Sequence, residues 1–149
     1  MWNKIESDLE LQSFMNEICH FHDSCIKEIK YTSGAYVTSK CEMYPLNDLR
    51  LLRVIIQRQY EELSMFEMVF EDLKFLKLVP LDENWTCEIS SSTMFFKDDT
   101  IFWCERGNKN DKNIADMCET DGAIICASRL KWRPLVNNIG SSQFYVPII

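Results

Sequence analysis

Between Ser7 and Ile18 the apolar residues Leu11, Phe14, Met15 and Ile18 recur at i, i+3, i+4 and i+7, with Gln12, Asn16 and Glu17 opposite them. That spacing predicts one amphipathic helix over about residues 7–19. Ser7 supplies an N-cap oxygen, and Glu10 three residues later completes a capping box. From Ser24 the period drops to two. Cys25 to Thr32 is rich in β-branched and aromatic residues and stops at Ser33-Gly34, a turn signal. Tyr36 to Tyr44 then alternates, Val37, Ser39, Cys41 and Met43 on one parity and Thr38, Lys40 and Glu42 on the other. The two segments read as a β-hairpin, ended by Pro45 and Asn47-Asp48. Leu49 to Tyr60 reads as a long strand: Leu52, Val54 and Ile56 share one face, and Arg53, Ile55 and Gln57 the other.

Residues 61–79 fit two periods. Leu63, Phe66, Val69, Phe70, Leu73 and Leu76 satisfy a helical stripe, whereas Phe66, Met68 and Phe70 make one face of a strand. In the strand reading a bulge near Asp72 returns Leu73 and Phe75, or Leu76 and Leu78, to register. Beyond Pro80, Trp85, Cys87 and Ile89 alternate. Two apolar runs, 93–96 and 101–104, flank Lys97-Asp98-Asp99-Thr100 and predict a tight hairpin. Residues 105–121 are polar and charged, as a long loop would be. A last strand is expected from Ala123 to Trp132, with Ile124, Cys126, Leu130 and Trp132 on one parity. Phe144-Tyr145-Val146 adds a short edge segment to an otherwise turn-like tail.

These elements amount to an α+β single domain spanning residues 1–149: one N-terminal helix packed on a mainly antiparallel sheet of six to eight strands, curved or folded into a sandwich. A length of 149 residues is enough to bury one substantial core. The formal charge of −7 repels phosphate backbones, and no basic stripe offsets it: Arg50 and Arg58 share a parity and Arg53 lies opposite. Nucleic acid is therefore excluded as a partner, and a basic protein is favoured. No apolar run reaches the ~18 residues of a membrane span, and the first residues lack a secretory h-region. Seven cysteines without a Cys-x-x-Cys pair fit reduced thiols in the cytoplasm. On that reading the Asn84-Trp85-Thr86 sequon has no role.

Candidate chemistry gathers at Cys19-His20-Phe21-His22-Asp23-Ser24-Cys25, which holds both histidines. On a strand His20 and His22 would face the same way, as a His-x-His chelate does, with Asp23 beside them. The alternative is structural: a histidine bonded to backbone at a helix–strand junction, with Asp23 fixing the turn. A thiol nucleophile pairing Cys19 or Cys25 with His20 or His22 would need partners from separate elements. Trp132-Arg133 combines two residue types enriched at interface hot spots, but the alternation up to Trp132 equally implies that it closes the core, with Arg133 over it or paired to an acid such as Asp23. No phosphate loop, nucleophile elbow or His-Glu-x-x-His helix is present. No cofactor is expected.

Several short motifs resemble a family of small uncharacterised bacterial proteins: Phe21-His22-Asp23-Ser24, Tyr31-Thr32-Ser33-Gly34, Leu52-Arg53-Val54-Ile55-Ile56-Gln57-Arg58-Gln59, Val69-Phe70-Glu71-Asp72-Leu73, Ile101-Phe102-Trp103-Cys104 and Leu130-Lys131-Trp132-Arg133. The resemblance spans nearly the whole chain and implies a strand, not a helix, around Val69-Phe70-Glu71. Proteins with a Phe-His-Asp start are similar to immunity proteins of bacterial toxin systems. The expectation is thus a non-catalytic domain that binds a protein, in its specific form an immunity-type inhibitor of a basic toxin, with His22, Asp23, Trp132 and Arg133 as interaction residues. The competing readings are a metal-dependent enzyme centred on His20 and His22, with Asp23, and a structural homodimer subunit.

Overall fold

The computed structural model describes residues 1–107, 122–136 and 140–148. Helix α1 (Asp8–Glu17) is capped as its sequence dictates: Glu10 N–H donates to Ser7 Oγ at 3.3 Å, and Glu10 Oε2 accepts from Glu6 N–H at 2.8 Å. Around it run strands β1 (Asn3–Ile5), β2 (Ser24–Thr32), β3 (Tyr36–Val37), β4 (Met43–Tyr44), β5 (Leu51–Arg58), β6 (Met65–Val79), β7 (Thr93–Lys97), β8 (Thr100–Cys104) and β9 (Gly122–Pro134). Seven of these form one antiparallel sheet in the order β2-β5-β6-β9-β8-β7, with β1 joining β9 beside β8. The fold is therefore α+β with an N-terminal helix on a mainly antiparallel sheet. Among the described residues no helix is long and apolar enough to cross a membrane.

The sheet curls around the helix. β6 and β9 pair along their whole length, and their twist carries β8 and β7 round until Ile89, just before β7, bridges Ser24 at the start of β2. The enclosed face is apolar. Leu11, Phe14, Met15 and Ile18 from the helix meet Leu52, Val54 and Ile56, then Phe66, Met68 and Phe70, then Ile101 and Trp103. Phe14 lies 5.0 Å from the Trp132 ring centroid and edge-on to Phe66 at 5.9 Å. Residues 65–79 are strand, as the resemblance implied and the helical stripe did not. Asp72 takes a positive φ of 53° and the register slips between Leu73 and Phe75, close to the expected bulge, but neither expected pair forms: Leu73 and Leu76 pack on the core while Phe75 and Leu78 stay exposed.

Three expectations fail. The segment 36–44 does not pair with β2. It folds on itself into the small β3–β4 hairpin, both faces exposed, with Tyr36 stacked on Tyr44 at 5.0 Å; β2 pairs β5 instead. Val37, Ser39, Cys41 and Met43 offer too little apolar surface to compete with Leu52, Val54 and Ile56 for that place. The alternation at 85–89 is not a strand either: only Ile89 turns inward, held by its N–H to Ser24 O at 2.7 Å. The single parity of the last strand breaks as well. Leu130 and Trp132 face the core with Ala127, Ile125 and Ala123, so Ile124 and Cys126 turn outward onto Phe95 and Phe102. The expected loop at 105–121 lies outside the described residues from 108 onward. β1, too short to show a period, was not foreseen. The hairpin at 93–104 forms as expected, Asp98 and Asp99 both at positive φ (48° and 55°) in a two-residue turn between Lys97 and Thr100.

The outer face of the sheet is ionic. Glu67, only 3% exposed, takes Arg53 on one side and Arg133 Nε at 2.8 Å on the other. Glu71 accepts from Lys131 at 2.5 Å and from Arg129 at 3.1 Å, and Asp72 binds Arg129 at 2.9 Å and Arg50 at 3.4 Å. Lys131 and Arg129 hold Glu71 below the usual carboxylate range. Its contribution is present above the ordinary carboxylate pKa and is lost as pH falls through the lowered one. Trp2 covers Arg133 at 4.2 Å and Tyr145 covers Arg53 at 5.1 Å. Removing the central acid by Glu67→Ala leaves two guanidinium groups without their buried partner. It should cost about 3–5 kcal/mol, seen as a lower urea midpoint with unchanged slope; an unchanged midpoint would show that the ladder is ornamental.

Candidate functional site

The Cys19–Cys25 stretch is a junction, not a strand. A 3-10 turn (Cys19–Phe21) follows α1, with Cys19, His20 and Phe21 all in the left-handed region at φ 50°, 51° and 64°. That backbone corrects the premise of the chelate, since His20 and His22 are no longer alternate residues of one strand. His22 is exposed and its Nδ1 lies 3.0 Å from Asp23, while Asp23 O accepts from Gln59 N–H at 2.9 Å. Among the described residues no three His, Cys, Asp or Glu side chains are grouped as a metal site. Phe21 is the residue the turn serves: it is fully buried, 5.0 Å from Trp103 and 5.9 Å from Phe66.

Trp132 and Arg133 point to opposite faces, as neighbours on a strand must. Trp132 lies in the core at 7% exposure, and Arg133 belongs to the outer ladder with Glu67 and Trp2, not with Asp23. The four expected interaction residues are therefore split: His22 and Asp23 together at the junction, Trp132 inside, Arg133 behind the sheet.

What the fold does bring together is negative charge. Residues 5–26 hold Glu6, Asp8, Glu10, Glu17 and Asp23 without a Lys or Arg, and residues 78–96 hold Asp82, Glu83 and Glu88, again without one. The rest of the chain sets sixteen Lys and Arg against fifteen Asp and Glu, so the eight carboxylates of these two stretches account for more than the net charge of −7. They are joined by Ile89 N–H to Ser24 O at 2.7 Å and Ser92 N–H to His20 O at 2.9 Å. Gln12 and His20 from the first share a cavity of about 290 Å³ with Ser91, Ser92 and Thr93 from the second.

The second stretch also lines an open cleft of about 760 Å³, with Leu81, Asp82, Trp85, Thr86, Glu88 and Arg106 on its walls. Trp85 is 73% exposed there, an aromatic face standing in water. The backbone and side-chain N–H groups of Asn84, at 2.9 Å and 2.5 Å from Asp82 Oδ1, hold that carboxyl below its usual range. A Trp face beside two carboxylates suits a lysine or arginine side chain. Sequence reasoning missed this cleft because Trp85-Thr86-Cys87 looked like alternation; its signal was the absence of any cation from residue 78 to residue 96.

In a separate cavity of about 200 Å³, shared with Glu88, Ser90 and Arg106, Glu105 accepts from Ala123 N–H at 2.6 Å, and burial pushes its carboxyl above the usual range. Gly122 at φ +88° makes this approach feasible, for a Cβ there would lie 2.7 Å from Glu105 Oε2. Comparison with protein-family models, curated proteins and solved structures finds no match for this chain. A carboxyl raised in the folded state favours folding most below its ordinary pKa and loses that advantage as pH rises through the raised one. Glu105→Gln, which keeps an acceptor for Ala123 without the charge, should thus stabilise the protein at pH 7.5 and not at pH 4. Chemical denaturation at the two pH values checks this, and an equal effect at both would overturn it.

Proposed function

We propose that this protein is a non-catalytic binding domain whose acidic side docks a basic protein, in the manner of an immunity-type inhibitor. The observation that carries the reading is the segregation of charge: eight carboxylates and no Lys or Arg lie in residues 5–26 and 78–96, stretches joined at Ser24–Ile89 and His20–Ser92. Five cations lie elsewhere, since Arg50, Arg53, Arg129, Lys131 and Arg133 each face a carboxylate on the outer ladder. A field so arranged raises the on-rate for a cationic partner and suppresses acidic ones. Trp85 supplies what charge alone lacks, a large apolar contact of the kind enriched at binding hot spots.

The test uses a lysine- and arginine-rich peptide as probe, titrated at low and at physiological salt with tryptophan emission as readout. Binding should shift the emission of Trp85 and weaken steeply with salt. The triple variant Asp82→Asn, Glu83→Gln, Glu88→Gln should bind at least about tenfold more weakly, equivalent to roughly 1.4 kcal/mol. Exchanging Lys40→Gln, on the exposed β3–β4 hairpin outside both stretches, should change affinity far less. Equal affinity of the triple variant and the parent chain would refute the reading.

A further inference from the structure

The loop that carries Trp85 also carries a cysteine, and a second cysteine faces it. Ser24 and Ile89 lie opposite each other in an antiparallel bridge, so Cys25, one residue on, and Cys87, two residues back, fall on the same side of it. Because 85–88 is irregular backbone beyond that single bridge, strand parity does not hold the two side chains on opposite faces. Both cysteines line one small cavity of about 250 Å³ together with Asp23, Gln59 and Thr86. Both are free, Cys87 exposed and Cys25 half-buried.

We propose that Cys25 and Cys87 form a redox-sensitive pair whose disulfide staples the 80–92 loop to the start of β2. Burial, and after it the neighbouring Cys87 thiol, pushes the Cys25 thiol above its usual range, which leaves the exposed Cys87 to react first. With oxidised glutathione as the oxidant, the exposed Cys87 sulfur attacks one glutathione sulfur, the glutathione S–S bond breaks, and one glutathione leaves as thiolate. Cys25 then attacks the Cys87 sulfur of the mixed disulfide and releases the second glutathione. Two protein thiols are oxidised to one disulfide, one glutathione disulfide is reduced to two thiols, and the two cysteine protons end on glutathione. At present the loop is tied to β2 through the Ile89 N–H and its buried side chain. The disulfide would add a covalent tie two residues from Trp85, and so fix the wall of the cleft.

The experiment treats the folded full-length chain with oxidised glutathione, in a Cys19→Ser, Cys41→Ser background that removes two other exposed thiols. Unreacted thiols are alkylated, and digests are mapped by mass. The expected product is lighter than the reduced chain by two hydrogens and yields one peptide linking Cys25 to Cys87. Adding Cys25→Ser should halt the reaction at a glutathione adduct on Cys87, and adding Cys87→Ser should abolish the cross-link. Chymotryptic cleavage after Trp85 should slow by about tenfold or more in the oxidised form and recover on reduction. A stable glutathione adduct on Cys87 with Cys25 still alkylatable, a cross-link to any other cysteine, or unchanged cleavage of the cross-linked form would overturn the proposal.

Discussion

The burial of Phe21 is the constraint on which the rest of this fold turns. To place that ring against Trp103, Phe66 and Phe14, three consecutive residues adopt left-handed backbone. The conformation costs roughly 1–2 kcal/mol per residue, a cost that burying one phenyl ring, at about 1.5–3 kcal/mol, does not cover alone. The balance comes from what the turn organises. It reverses the chain so that β2 can start beside β5, and it turns His20 O and Ser24 O toward the 89–92 segment, whose N–H groups they accept. Each of those bonds closes the curled sheet a little further over the helix.

Closure of the sheet in turn sorts the charges. The long β6–β9 pairing has two faces, and the inner one is committed to Phe66, Met68, Phe70, Leu130 and Trp132. Every charged residue of those strands must then appear on the outer face, where Glu67, Glu71, Arg129, Lys131 and Arg133 lie within reach of one another and neutralise. The helix and the connecting loop have no such opposite face crowded with cations. Their carboxylates stay in water, and the surplus negative charge of the chain is left on one side.

Much of this was legible along the chain. The helix and its cap were readable from Ser7, Glu10 and the Leu11–Ile18 stripe, since capping and amphipathic period are local. The 93–104 hairpin was readable for the same reason, and a bulge near Asp72 was needed by the strand reading of 65–79. The His22–Asp23 contact was also foreseeable, being between neighbours. The site was less legible. His20 and His22 looked like a chelate only while the backbone was assumed extended, and Trp132-Arg133 looked like one patch only until strand geometry divided the pair.

By itself, then, the sequence determined the elements with local causes, the parity of β5 and the inner half of β6, and the total charge. Tertiary structure alone decided that β2 takes β5 and not the 36–44 segment as its neighbour, that Arg133 meets Glu67, and that residues 5–26 lie beside residues 78–96. The physical reason is the same in each case. Alternation tells a strand which face to bury, but the neighbouring strand is chosen by competition among all the apolar faces of the chain. A contact such as Ser24 with Ile89 exists only once β6 and β9 have twisted far enough to bring it within reach.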